Sequence, residues 1–238
     1  MIAMASNPVE ILLIVLVFGV AAVVGVIINA VLKARAEWRA ERSRLRGLRD
    51  LTARLGFESF SPERDDQFTR SWDFLPRLTH VGEDHYAFNI LRGAYHDQSL
   101  FIFDFNYTTG GSKNRQDHVA TMLLLVFKNV FPHLVIGPET FSEKLASATG
   151  VGGEIKFESA EFSKRFKVRC ADKKFAYDVC NPQMIDYLLT NPRLEIEIQG
   201  PCLLLAFEPQ LPVERIEFNL QRLIEIRSRL PQYLFTTA

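Results

Sequence analysis

The stretch Leu100-Phe101-Ile102-Phe103-Asp104-Phe105-Asn106-Tyr107 has the composition of a β-strand, and it decides the fold class. Aromatic and β-branched residues at this density favour extended structure. Strand patterns flank it on both sides, at residues 86–90, 119–130 and 133–136. Strands in direct succession favour antiparallel pairing, so the sequence predicts an antiparallel sheet here.

Further strands and three helices are predicted toward the C-terminus. Strand patterns cover residues 155–157, 166–170, 194–198 and 202–207, with turns expected at 172–174 and 199–201. Each helix follows a proline, at 139–149, 183–189 and 213–230. The last helix carries an apolar stripe of Val213, Ile216, Leu220 and Leu223, and residues 175–180 fit either a strand or a helix. Together with a connector at 57–75, these patterns predict an α+β domain of antiparallel sheet and packed helices over residues 57–238.

The N-terminal region has a different character. Residues 11–32 contain no charged side chain, and a helix of this length spans about 33 Å, enough for a hydrocarbon core of about 30 Å. After a tail at 1–8, the sequence therefore predicts a transmembrane helix at 9–32. A cleaved signal peptide is the alternative, but no Lys or Arg precedes the apolar run. Ala21, Gly25 and Asn29 recur every four residues and would suit helix packing in the membrane, although small residues are common in such helices.

A basic helix is predicted next, at residues 33–56. Its candidate membrane-surface residues are Lys33, Arg35, Trp38, Arg39, Arg42, Arg44, Arg46 and Arg49. Basic residues that flank a span stay on the cytoplasmic side. This predicts a single-pass protein of the bacterial plasma membrane, with the N-terminus outside and the domain in the cytoplasm. The basic residues are expected to form a stop-transfer stalk, to attract anionic lipid, or to do both at once.

Three blocks of the domain are similar to a known group of proteins. They are Asp104-Phe105-Asn106-Tyr107-Thr108-Thr109-Gly110, Phe157-Glu158-Ser159-Ala160-Glu161-Phe162-Ser163 and Phe175-Ala176-Tyr177-Asp178-Val179-Cys180-Asn181-Pro182. The chain resembles, over about residues 85–235, a family of bacterial single-pass membrane proteins whose domain has no assigned function. The resemblance implies the order of anchor, basic helix and domain, and it implies no activity.

No motif in the sequence names a reaction, and no catalytic, cofactor-binding or metal-ligating residues are assigned. The weak polar-site candidates are Asp104, Lys113, Arg115 and His118. Asp104 lies between phenylalanines and would be costly to bury without a partner, for which Lys113 or Arg115 is a candidate. The three cysteines, without a CxxC pair, indicate free thiols in a reducing compartment.

These features favour a membrane-anchored interaction or scaffold domain, such as an accessory subunit of a membrane protein assembly. A lipid-surface sensor and an enzyme of unrecognised type are the alternatives. The expected partners are the lipid bilayer, with preference for anionic lipid, and a membrane protein or a second copy of the chain. The 28 basic residues equal the 28 acidic ones, which argues against a nucleic-acid partner.

Overall fold

A single long helix, α1 (Pro8–Leu55), forms the N-terminal part of the chain. The computed structural model describes residues 8–79, 82–141 and 152–236, but not the side chains of 8–15, 17 and 20–22. The chain divides into two compact units, Met1–Gly47 and Leu48–Ala238. Within the described part of the chain, no helix is both long enough and apolar enough to cross a membrane. This finding does not support the transmembrane helix predicted at 9–32.

The second unit is built on one antiparallel sheet. Its strands are β1 (Ser59–Ser61), β2 (Glu83–Tyr95), β3 (Gln98–Thr109), β4 (Gln116–Gly137), β5 (Glu154–Ile155), β6 (Lys167–Cys170) and β7 (Glu195–Phe207). The strand order is β1-β2-β3-β4-β6-β5, and β7 pairs with β4. Every pairing is antiparallel, which confirms the predicted combination of helices with an antiparallel sheet.

The strands β4 and β7 are longer than the sequence indicates. Residues 119–130 and 133–136 were expected to be separate strands, yet β4 runs through both, and β7 runs through the turn expected at 199–201. The pairing of β4 with β7 is irregular in this region, with register shifts near Phe131 and a positive φ of 56° at Gly200. Bulges of this kind accommodate proline and glycine without ending the pairing, so Pro132 and Pro201 do not break the strands.

Each face of the sheet is covered by its own apolar core. On the first face lie α4 (Ala160–Arg165), α5 (Lys173–Val179), α6 (Pro182–Thr190), α7 (Val213–Arg229), α8 (Tyr233–Thr236) and the end of α1. On the second face lie the short helices α2 (Asp66–Arg70) and α3 (Pro76–Thr79), packed over Phe103, Phe105 and Tyr107. Because side chains alternate along a strand, Ile102 and Phe103 belong to opposite cores.

Side-chain caps explain where several helices begin. Asp172 accepts a hydrogen bond from the Phe175 N–H, so residues 172–174 start α5 rather than form the expected turn. Ser159 caps α4 and Asp65 caps α2 in the same way, although neither helix was predicted. Helices α6 and α7 lie where the proline pattern predicts them. Most of the helix predicted at 139–149 lies outside the described residues.

Candidate functional site

A buried ionic network on the second face of the sheet surrounds Arg77. Helix α3 places this side chain over the sheet, where it is 1% exposed. Its Nη2 lies 3.4 Å from a carboxylate oxygen of Glu208 and 3.5 Å from one of Glu195. The guanidinium carbon also lies 5.5 Å from the ring centre of Phe141. A buried guanidinium requires such partners, because desolvating an unpaired charge costs several kcal/mol.

A second pair joins this network from the middle of the sheet. The backbone N–H of Arg77 donates to Glu197 at 3.2 Å, and the other oxygen of Glu197 lies 3.0 Å from His133 Nε2. Glu197 is 1% exposed and His133 is 7% exposed. Among the described residues, the Nδ1 of His133 and the Nε of Arg77 are buried without a hydrogen-bond partner. The inner part of the network is therefore tightly enclosed but incompletely hydrogen-bonded.

The outer part of the network reaches solvent through His118. Tyr107 donates its hydroxyl to Glu208 at 2.7 Å, and His118 Nδ1 lies 3.0 Å from the other oxygen of Glu208. His118 Nε2 is 2.8 Å from the Thr109 hydroxyl, and its ring stacks on Tyr107 at 4.8 Å. Burial, followed by the hydrogen bond to Glu208, raises the pKa of Tyr107 well above its usual range. Tyr107 therefore keeps its proton and acts as a hydrogen-bond donor to Glu208.

The charges of the network are unequal. Two carboxyl groups, those of Glu195 and Glu208, lie near the single guanidinium, and a third, that of Glu197, accepts the backbone N–H of Arg77. A protonated His118 or His133 would supply further positive charge, and each imidazole lies within hydrogen-bond distance of a carboxylate. Of the two carboxyl–imidazole pairs, His118 with Glu208 is the one that solvent reaches. Within the described ranges, no group of three or more His, Cys, Asp or Glu residues is arranged to hold a metal ion.

Asp104 lies apart from this network, on the first face of the sheet. It is 2% exposed, accepts a hydrogen bond from Asn89 at 2.8 Å, and accepts another from the Thr121 hydroxyl at 3.0 Å. Thr121 in turn accepts the Leu211 N–H at 3.0 Å. These bonds tie β2, β3, β4 and the segment before α7 together. The sheet itself separates Asp104 from His118.

The other two polar candidates lie in the loop between β3 and β4. Arg115 forms an exposed ion pair with Asp84 at 2.6 Å and approaches Asp117 at 3.7 Å. Arg115 was expected to be a partner of Asp104, but it pairs with Asp84 instead. Lys113 is exposed in the same loop. Of the four candidates, only His118 belongs to the buried network.

Most of the network was missed at the level of sequence. The missed residues are Arg77, Tyr107, His133, Glu195, Glu197 and Glu208. Arg77 stands between Pro76 and Leu78 in an apolar segment, and this is the one local signal of a buried cation. Glu195 and Glu197 alternate with Ile196 and Ile198, a pattern that equally fits a solvated face. No local signal could have revealed their burial.

In the first unit, α1 exposes most of its basic residues, although Arg44 is half-buried, and Trp38 lies among them. Trp38 is 64% exposed, and the guanidinium of Arg42 lies 5.9 Å from its ring centre. A shallow groove of about 520 Å³ is lined by Val31, Ala34, Arg35, Trp38, Arg39 and Arg42. Gly25 and Asn29 are exposed, while the side chain of Ala21 lies outside the described residues.

The fold and the network define a class: an α+β domain with helices on both faces of an antiparallel sheet, preceded by a long helix. A solved structure with a similar fold is the "crystal structure of the mycobacterial trehalose monomycolate transport factor A, TtfA". The TM-score is 0.58 and the sequence identity 16%, over 83% of this chain and 98% of that chain. Similarity at this identity shows the fold alone. No protein-family model and no curated protein matches the chain.

Proposed function

We propose that this chain is a membrane-anchored accessory protein of a lipid-transport assembly, and that its domain acts by binding partners. The observation that carries the proposal is the similarity of fold to TtfA, which extends over 98% of that chain. TtfA is described as a transport factor for trehalose monomycolate, which is a glycolipid. Fold alone does not imply function, so the proposal also needs support from the chain itself.

The sequence of α1 supports the membrane anchor. Its residues 11–32 carry no charge, and eight Lys or Arg follow between 33 and 54. The helix is continuous from Pro8 to Leu55, so an inserted run would lead directly into the basic segment. Under this proposal residues 9–32 span the plasma membrane of a bacterium. The basic flank keeps the domain in the cytoplasm and the N-terminus outside.

The buried network has a structural role under this proposal, which leaves partner binding to other parts of the domain. Arg77, Glu197 and Tyr107 are at most 1% exposed and are paired with one another or with neighbours on adjacent strands. Polar and charged groups enclosed in this way hold α3 on the sheet, because Arg77 contacts Glu195, Glu197 and Glu208. The network is accordingly assigned to stabilising the fold, while partner recognition is assigned to exposed surfaces.

The proposal is tested by following newly made lipid in cells depleted of this chain. After a pulse of labelled acetate, lipid extractable from the cell surface is compared with lipid retained by the cell. We expect the surface fraction of one lipid class to fall while its total synthesis is unchanged. The full chain should restore transport, and a chain without residues 1–32 should not. An unaltered distribution of every lipid class after depletion contradicts the proposal.

The enzyme alternative has one observation in its favour, the pair of His118 and Glu208 at the solvent-exposed rim. If that pair performs catalysis, depletion should lower the total synthesis of a lipid and cause its precursor to accumulate. If the chain is an enzyme, His118→Gln should likewise lower synthesis of the lipid and cause its precursor to accumulate. In an accessory protein whose network is structural, His118→Gln should leave both synthesis and transport close to normal.

A further inference from the structure

The basic residues of the first unit are distributed unevenly around α1. Arg35, Arg39, Arg42 and Arg46 follow one another at alternating spacings of four and three residues. At about 100° per residue, the four arginines lie within an arc of about 60°. Measured from the middle of this arc, Lys33 lies about 150° away and Arg44 about 170° away, on the opposite side of the helix. The arginines thus form one stripe along the helix.

Trp38 lies beside this stripe and is part of the same surface. The ring is 64% exposed, and the Arg42 guanidinium lies 5.9 Å from its centre. The structure records no ion pair between described residues for Arg35, Arg39 or Arg42. This surface, called the Arg–Trp face (Arg35, Trp38, Arg39 and Arg42), therefore combines uncompensated positive charge with an amphipathic indole. Tryptophan is enriched at membrane interfaces for this amphipathic character.

The position of the Arg–Trp face along α1 indicates its ligand. With a rise of about 1.5 Å per residue, Arg35 lies about 4.5 Å beyond Leu32, and Arg39 about 10.5 Å beyond it. The headgroup layer extends about 5–7 Å beyond the hydrocarbon core. Helix side chains lean toward the N-terminus, so the long arginine side chains reach back toward the end of the uncharged run. Phosphate groups of lipids at that end would lie within their reach.

We propose that the Arg–Trp face binds the headgroup of an anionic phospholipid, with the phosphate held by Arg35 and Arg39 and the indole of Trp38 in the interface. The inference rests on the membrane anchor of the proposed function. It adds a ligand class and a defined face, since arginine matches phosphate geometry through paired N–H donors. An acidic protein partner would fit the charge of this face but would give Trp38 no reason to lie beside the uncharged run.

The test uses the full chain in lipid nanodiscs, with Trp38 as the reporter. The chain has two tryptophans, so Trp72→Phe leaves Trp38 as the single indole. The Nε1 of Trp72 has no hydrogen-bond partner among the described residues, and its ring packs against Phe68, Phe74 and Phe101, which a phenylalanine can replace. Two nanodisc samples are compared at the same mole fraction of brominated lipid. In one, the brominated lipid is phosphatidylglycerol in plain phosphatidylcholine. In the other, the brominated lipid is phosphatidylcholine.

We expect quenching of Trp38 by brominated phosphatidylglycerol to exceed that by brominated phosphatidylcholine by about twofold or more at low salt, because nearby arginines concentrate anionic lipid. The excess should disappear at high salt and in Arg35→Gln/Arg39→Gln/Arg42→Gln. Lys33→Gln is the matched control. Lys33 is closer to the uncharged run than any arginine but lies on the opposite side, so the excess should persist.

The outcomes separate this inference from the membrane anchor. Equal quenching by both brominated lipids overturns the headgroup site and leaves the anchor intact. An excess that survives in the triple variant, or that Lys33→Gln removes as fully as the triple variant does, overturns the assignment to this face. Absence of quenching by either lipid places Trp38 away from the bilayer and overturns its assignment to the interface.

Discussion

Replacing Arg77 by methionine should destabilise the domain more than any exchange of an exposed arginine. Methionine keeps much of the volume and the apolar stem of the side chain, so the change removes mainly the charge. The carboxylates of Glu195 and Glu208 then lose the guanidinium that lies 3.5 and 3.4 Å from them. Arg77 is 1% exposed, so water cannot take its place without rearrangement.

The size of the effect follows from that burial. Breaking a buried ion pair by removing one partner costs about 3–5 kcal/mol, out of about 5–15 kcal/mol for a whole domain. At about 2–4 °C per kcal/mol for a domain of this size, the melting temperature should fall by roughly 6–20 °C. The double variant Arg77→Met/Glu208→Gln removes one of the stranded carboxylates. Its loss of stability should therefore be smaller than the sum of the losses in the two single variants.

The assay is thermal unfolding of the full chain in detergent, followed by near-ultraviolet circular dichroism. Arg115→Met is the matched control, because Arg115 forms a shorter ion pair, 2.6 Å, with Asp84, but both side chains are more than half exposed. Surface ion pairs contribute little, so this control should melt like the parent. The reasoning is refuted if Arg77→Met and Arg115→Met shift the melting temperature equally.

Two further predictions concern the core. Leu220 is 6% exposed on the apolar stripe of α7, so Leu220→Ala should lower the free energy of unfolding by about 2–5 kcal/mol. The control Phe218→Ala should change it little, because that side chain is 48% exposed. An unchanged melting temperature for Leu220→Ala would indicate that the stripe is a docking surface instead. Burial raises the pKa of all three thiols, that of Cys202 to about 12, so Ellman's reagent at mildly alkaline pH should label none in the native chain and three after unfolding. Rapid native labelling would show that a cysteine is accessible.

The sequence by itself determined the features that depend on near neighbours. The aromatic and β-branched run around Phe103 forms β3, and the stripe through Ile216 and Leu223 forms the buried side of α7. Proline at the first position set the start of α6. In each case the pattern repeats within a few residues, so local composition and periodicity are sufficient.

Only the tertiary structure decided which interruptions the sheet tolerates. Gly200 and Pro201 have the composition of a turn, but β7 continues because residues on both sides pair with the same strand, β4. Residues 175–180 show the alternation of a strand, but Phe175, Ala176 and Val179 pack as one face of α5. Long-range pairing and packing override local preference in these segments.

The candidate site depended on tertiary structure even more strongly. Arg77 meets Glu197 and Glu208 from positions more than a hundred residues away in the chain. Because Glu197 alternates with Ile196 and Ile198, the sequence specifies that the glutamate faces away from the first core. It does not specify which element covers the second face of the sheet. Helix α3 covers this face. A buried carboxylate is stable only beside a partner such as a positive charge, and α3 supplies Arg77 next to the glutamates.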